Sequence, residues 1–270
     1  MKTRAITGFF FVVVMLASLL LGHYVFGAFF LVLSVLCLRE FYSLLNKSGE
    51  SPDMVTGLIN GIFIYVIFAL IVYQNNPYYH KLLFLLTLTV SAIFIQELFK
   101  RSSAPFVNIG YTLVGLIYIC LPFTLFHAMA YVNGPFNFHY PLAFMLLLWA
   151  NDTGAYLVGS KFGRTKLFER HSPKKTWEGF MGGIVISAIA AFIISYFFKE
   201  LLWNQWVSVA ILIAGFGTLG DLIESMFKRS IDVKDSGGIL PGHGGLLDRF
   251  DGLLLAAPIV YTYLYFVTNS

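Results

Sequence analysis

Between Ser225 and Asp251 the chain reads SMFKRSIDVKDSGGILPGHGGLLDRFD, with four acidic residues, four basic residues and a histidine in one short stretch. Charge beside a bilayer is costly, so this density in an apolar chain calls for a compensating role. Carboxylate oxygens suit hard divalent cations, and ammonium and guanidinium groups suit phosphate. The composition therefore fits a phosphate-rich substrate held with its metal ions at a membrane surface. Gly237, Gly238, Gly242, Gly244 and Gly245 free the backbone to approach a ligand. Asp248 and Asp251 fall one turn apart on one face of the helix that follows. A second role for them, favouring that helix's N-terminus, is worth about 0.3–1 kcal/mol per acid. For His243 three roles stay open: phosphate contact, proton transfer, or packing of the turn.

Three further groups join this stretch. Asp221, Glu224 and Ser225 are spaced i, i+3, i+4 and share a helix face. Asp221 lies eight residues before Arg229, roughly 12 Å into the helix. Two acids on one buried face need a cation, which Lys228 or Arg229 could provide. Asn151-Asp152-Thr153 places another acid inside an apolar run, where an ionised Asp costs about 2.5–3.5 kcal/mol, so a polar cavity is expected there. The loop from Lys161 to Gly179 carries six basic residues together with Ser172, Thr176 and Glu178. Part of that charge would be present in any loop on the positive side of a membrane. Ser172, Lys174 and Lys175, however, sit just before a helix, whose free N–H groups suit phosphate. Asp221, Asp248 and Asp251 are expected at one level, sharing Mg2+. No His/Cys spacing suits zinc, and Cys37 and Cys120 fall inside apolar runs as buried small side chains.

The elements that must position these groups are membrane helices. Of 270 residues, 58% are apolar and 12% charged, about half the charged fraction of a soluble domain. The mean hydropathy is +0.76. Spans of roughly 20 residues are needed to cross the hydrocarbon. Nine are predicted: 5–22, 24–45, 55–73, 81–99, 107–127, 140–160, 179–199, 205–229 and 247–267. Met1–Leu21 also has the length of a signal peptide, but no small-x-small cleavage site precedes a soluble domain. With the N-terminus in the cytoplasm, every Lys and Arg except Lys81 and Lys199 falls on the inner side, sixteen of the eighteen. Gly57/Gly61 and Gly179/Gly183 have the spacing of close helix packing. The fold class is thus an all-α polytopic membrane protein. Residues 1–139 form a five-span scaffold, which could also serve as a dimer surface. Residues 140–270 form a four-span catalytic region with two cytoplasmic loops. No internal repeat suggests a transporter.

The stretch from Ser225 to Asp251 resembles the signature of the phosphatidate cytidylyltransferases, or CDP-diacylglycerol synthases. The pattern runs S-x-hydrophobic-K-R, four residues, K-D-x-small, two residues, a hydrophobic residue, P-x-H-G-G, two residues, and D-R-x-D. It is carried by Ser225, Lys228, Arg229, Lys234, Asp235, Gly237, Leu240, Pro241, His243, Gly244, Gly245, Asp248, Arg249 and Asp251 without departure. It covers about a tenth of the chain and is specific. The Asn151–Tyr156 and Ser172–Gly179 segments are also similar to the family. The resemblance implies an inner-membrane enzyme whose site faces the cytoplasm. Its reaction converts phosphatidic acid and CTP to CDP-diacylglycerol and pyrophosphate with Mg2+. It also implies a second cation and a homodimer, and no nucleic acid.

On this basis Asp221, Asp248 and Asp251 are expected to hold the metal. Lys228, Arg229 and Lys234 would neutralise triphosphate charge, and Ser172, Lys174 and Lys175 would support phosphate binding. Asp152 and Glu178 would line the cavity, and Ser225, His243 and Arg249 would complete the substrate contacts. The alternative is a CTP-dependent polyprenol or lipid kinase, which would move the γ-phosphoryl group instead. Asp248-x-x-Asp251-Gly252 also echoes the start of the CDP-alcohol phosphatidyltransferase motif, but its remaining acids are absent after Gly252.

Overall fold

A computed structural model describes residues 2–74, 76–233, 236–237 and 244–268, with side chains from residue 7 onward. The helices are α1 (Lys2–Leu20), α2 (His23–Lys47), α3 (Met54–Gln74), α4 (Leu83–Phe99), α5 (Pro105–Gly115), α6 (Leu121–Met129), α7 (His139–Phe162), α8 (Trp177–Phe197), α9 (Trp203–Ser230) and α10 (Leu247–Thr268). A 3₁₀ turn, Pro77–Leu82, leads into α4, and a π-helical turn, Leu116–Cys120, joins α5 to α6. Eight stretches among the described residues are long and apolar enough to cross a membrane, and they coincide with the second to ninth expected spans. The first expected span is the shorter apolar helix Thr7–Leu20. Side chains such as Phe84, Leu98, Phe99 and Phe106 face outward, as a lipid solvent permits.

The expected loop between α7 and α8 instead carries a short antiparallel hairpin, β1 (Lys166–Phe168) and β2 (Ser172–Thr176), with Lys166 opposite Thr176 and Phe168 opposite Ser172. At three and five residues, these strands are too short to leave a readable alternation.

Packing relies on aromatic side chains and on glycines at the expected close contacts. Phe26, Phe30, Phe123, Phe126 and Phe250 are fully buried. Phe30 lies 4.8 Å from Phe126 with the rings tilted, and Phe123 meets Phe250 edge-on at 5.3 Å. Such pairs contribute about 0.5–1.5 kcal/mol each beyond area burial and join α2 and α6 to α10. A Cβ on Gly57 or Gly61 would lie 2.6 Å from Tyr42 or 2.8 Å from Leu38, and a Cβ on Gly179 would lie 2.9 Å from the Ala155 carbonyl. Both small-residue pairs thus mark close helix contacts.

Where α2 ends and α3 begins, buried polar groups tie four helices together. Lys100 Nζ reaches Asp53 at 3.0 Å and Glu97 at 3.4 Å. Asn108 donates to Glu97 at 2.7 Å, and Tyr42 donates to the Thr112 carbonyl at 2.7 Å. With Lys100 partly open to solvent, this network compensates two carboxylates that are almost fully buried.

At the opposite end Glu200, between α8 and α9, pairs with His139 and accepts from Asn137 at 2.9 Å. Burial raises its affinity for a proton, but these two partners outweigh burial and hold the carboxyl below its ordinary value of 4.5. A depressed carboxyl stabilises the fold fully above its unfolded value and loses that contribution as the pH falls through the folded one. Wild-type protein should therefore unfold at a higher temperature than Glu200→Gln at pH 7, with the gap shrinking below about pH 4.5. A gap unchanged by acidification would contradict this role.

Candidate active site

The site forms where α9 and α10 cross on glycine. A Cβ on Gly220 would strike the carbonyl oxygen of Asp251, and one on Gly252 would lie 3.6 Å from the Gly217 Cα. At Gly220 no larger residue permits this approach, which sets Asp221 on α9 beside Asp251 on α10. Behind them, α7 and α8 meet just as closely. A Cβ on Gly183 would lie 2.5 Å from Asn151 Oδ1, so Asn151 packs into α8 while Asp152 turns the other way.

The hairpin delivers the basic residues. Thr176 caps α8 by accepting from Gly179 N at 3.2 Å. The Glu178 carboxylate accepts from the Arg164 and Thr165 amides at 3.1 Å each, fastening the start of the hairpin to the start of α8. Lys175 then reaches across to Asp221 at 2.5 Å, with the Thr218 carbonyl 3.5 Å away.

A cavity of about 810 Å³ joins these groups. Its charged lining is Asp152, Lys174, Lys175, Asp221, Asp248, Arg249 and Asp251. Its apolar wall includes Phe11 and Val12 of α1, Leu148 and Trp149 of α7, and Phe180 of α8. Asp152, Asp221 and Asp251 interact electrostatically with one another and with Lys175. Three carboxylates around one ammonium leave uncompensated negative charge in a low-dielectric setting, where repulsion is strong.

Beside this trio lies a second ionic group. Lys228 Nζ sits 2.5 Å from Glu224 and 2.6 Å from Asp248. Glu224 is fully buried. The other Asp248 oxygen accepts from the Ser236 and Gly245 amides at 3.1 Å each, and the Ser236 hydroxyl accepts from Asp248 N at 3.3 Å. Asp248 therefore ties Ser236 and Gly245 to Lys228 of α9. Gly244, at φ +82, makes the reversal that lets Gly245 donate.

Several expectations shift with this geometry. Asp152 joins Asp221, Asp248 and Asp251 around the cavity, and Lys228 and two amides engage the Asp248 carboxylate. Among the described residues, no three His, Cys, Asp or Glu side chains are drawn into metal-holding geometry; ammonium groups sit on Asp221 and Asp248 instead. Lys228, expected on a triphosphate, is held between two carboxylates. Arg229 lies exposed at the end of α9, 3.5 Å from the Val233 carbonyl. Glu178 and Ser172 do not line the cavity; Glu178 fastens the hairpin and Ser172 pairs in β2. Ser225 stays behind Asp221, its hydroxyl 3.4 Å from that carboxylate. Lys234 and His243 lie outside the described residues.

Sequence reasoning missed three contributions from the first five spans. Helix α1 lines the cavity through Thr7, Gly8, Phe11 and Val12. Tyr118, on the π-helical turn, has a buried hydroxyl with no hydrogen-bond partner among the described residues, and it interacts with Glu224, Asp251 and Asp221. π-Helical turns often accompany functional sites. Pro122, one turn on, lacks the N–H that would continue an α-helical ladder through this region. Glu40 of α2, 6% exposed, accepts from Leu247 N at 2.9 Å. An acid late in an apolar span was the signal for Glu40; for Phe11 and Tyr118 the sequence held none.

Comparison with known proteins bears on the whole chain. It is 35% identical over 263 residues to the phosphatidate cytidylyltransferase of Staphylococcus aureus strain COL, covering 96% of this chain and 97% of that protein. The corresponding protein of Staphylococcus haemolyticus is 33% identical over the same shares. That of Staphylococcus epidermidis is 33% identical over 264 residues. With the family model described as "Cytidylyltransferase family" matching residues 2–267, the chain belongs to the cytidylyltransferase family.

Proposed function

We propose that this membrane enzyme transfers the cytidylyl group of CTP to phosphatidic acid, giving CDP-diacylglycerol and pyrophosphate, with its site open to the cytoplasm. One observation carries the reading. A single cavity joins carboxylates and basic side chains at one end of the bundle to an apolar wall from α1, α7 and α8. A polar nucleotide and a lipid headgroup can meet there.

The nucleophile is a phosphate oxygen of the lipid. A phosphate monoester loses its second proton near about pH 6, so no strong general base is required. That oxygen forms a new bond to the α-phosphorus of CTP, and the α–β bridging P–O bond breaks with its electron pair leaving on pyrophosphate. Two polyanions must approach each other, so positioning and charge neutralisation dominate. Lys174, Lys175 and Arg249 supply positive charge along the cavity. Asp152, Asp221, Asp248 and Asp251 all line the cavity, and these hard oxygen donors are the side chains from which Mg2+ would draw its ligands. Mg2+, when bound, offsets negative charge on the phosphates. Lys228 and the Ser236 and Gly245 amides hold the Asp248 carboxylate in place.

Incubating purified protein with CTP labelled at the α-phosphate, Mg2+ and phosphatidic acid should move label into the organic phase. Label remaining on the nucleotide while γ-phosphate reaches lipid would identify a lipid kinase and overturn the reading. Omitting Mg2+ should abolish transfer.

A further inference from the structure

Glu40 is a buried acid of the supposed scaffold, yet what it touches belongs to the signature segment. Its Oε2 accepts from Leu247 N at 2.9 Å, at the first residue of α10. The Leu246 amide and the Ser236 hydroxyl also lie close to this carboxylate. Its Oε1 fills the space between Gly237 and Gly245, so a Cβ at either glycine would collide with it. At Gly237, the three nearest atoms to such a Cβ all belong to Glu40. A carboxylate on the first amides of a helix is favourably placed against the helix dipole. Glu40 thus lies among Gly237, Gly245 and Leu247, and Ser236 N and Gly245 N both bond to Asp248.

We propose that Glu40 is a positioning residue for cytidylyl transfer: Gly237, Gly245 and Leu247 pack around its carboxylate, which sets the register of Asp248 and Asp251. Glu40 leaves no room for a side chain at Gly237, and Glu40 with the Ser236 hydroxyl leaves none at Gly245. This inference rests on the proposed reaction for its kinetic readout, but its structural consequence can be measured without turnover.

The test uses the full-length purified protein in three forms: Glu40→Ala, Glu40→Gln and Gly237→Ala, with the double variant Glu40→Ala/Gly237→Ala. Outer supports of this kind are worth about 10–100-fold in function where they have been removed from metal sites. Glu40→Ala should lower kcat at least ~10-fold in the labelled-CTP assay. Glu40→Gln keeps a carbonyl oxygen for Leu247 N–H and should recover most of that loss. Gly237→Ala should be impaired alone but harmless in the Glu40→Ala background, where the added methyl has room. Hydrogen exchange at the Gly245–Leu247 amides should speed at least ~10-fold in Glu40→Ala, while the α5 amides keep wild-type rates. If Glu40→Ala misfolds, Glu40→Gln and Gly237→Ala still decide. Wild-type kcat and amide protection in Glu40→Ala would overturn the proposal, as would equal effects of Gly237→Ala in both backgrounds. If wild-type protein itself moves no label, the proposed reaction fails, and the exchange rates alone judge Glu40.

Discussion

Asp251→Asn is expected to lower cytidylyl transfer by at least ~10²-fold while leaving the protein folded, a loss comparable to removing one preorganised electrostatic contact from an active site. The substitution is isosteric, so the α9–α10 crossing at Gly217, Gly220 and Gly252 should survive. It also removes one of three mutually repelling carboxylates, so thermal stability should hold or rise. Activity and stability should therefore move in opposite directions or separately, as expected for a residue placed for chemistry against its own electrostatic preference. The measurement is label transfer at saturating CTP beside thermal unfolding in the same detergent. Near-normal turnover would remove Asp251 from the chemistry, and joint loss of turnover and fold would make it a structural residue.

Lys228→Met should show the reverse pattern, with a large loss of stability. Lys228 is the cation on both Glu224 and Asp248, with only 14% of its side chain exposed and 1% of that of Glu224. Removing one partner of a buried ionic group leaves uncompensated charge, at a cost of about 3–5 kcal/mol. Most of that cost should come from Glu224, because Asp248 keeps its amide donors. The double variant Glu224→Gln/Lys228→Met should accordingly be more stable than Lys228→Met alone. Unfolding midpoints of the wild type, the two single variants and the double variant give the coupling directly. A double variant as unstable as the sum of its parts would show that Lys228 is not held for Glu224.

The sequence made the membrane spans legible because long apolar runs have few alternatives, and eight of them reappear as helices. Asp152 and Asp221 were conspicuous because an acid well inside an apolar span is expensive, and Asp248 and Asp251 because they fall one turn apart where the last helix begins. The partners of charged residues were not. Lys228 and Asp248 sit 20 residues apart in the chain, and nothing in their spacing says that they satisfy each other and not a ligand. The hairpin was hidden by its brevity. The glycine crossing was hidden because Gly217, Gly220 and Gly252 become a set only once α9 and α10 lie together. Phe11 and Tyr118 were hidden because an aromatic in a membrane helix is ordinary.

The bond between Glu40 and Leu247 joins residues 207 positions apart. At a ribosome adding roughly 5–20 residues each second, about 10–40 s separate their synthesis. Throughout that interval α2 stands in the lipid carrying an acid whose hydrogen-bond donors do not yet exist. The nascent chain therefore needs a temporary host for this helix, a neighbouring helix or the insertion machinery, until the last span arrives to claim it.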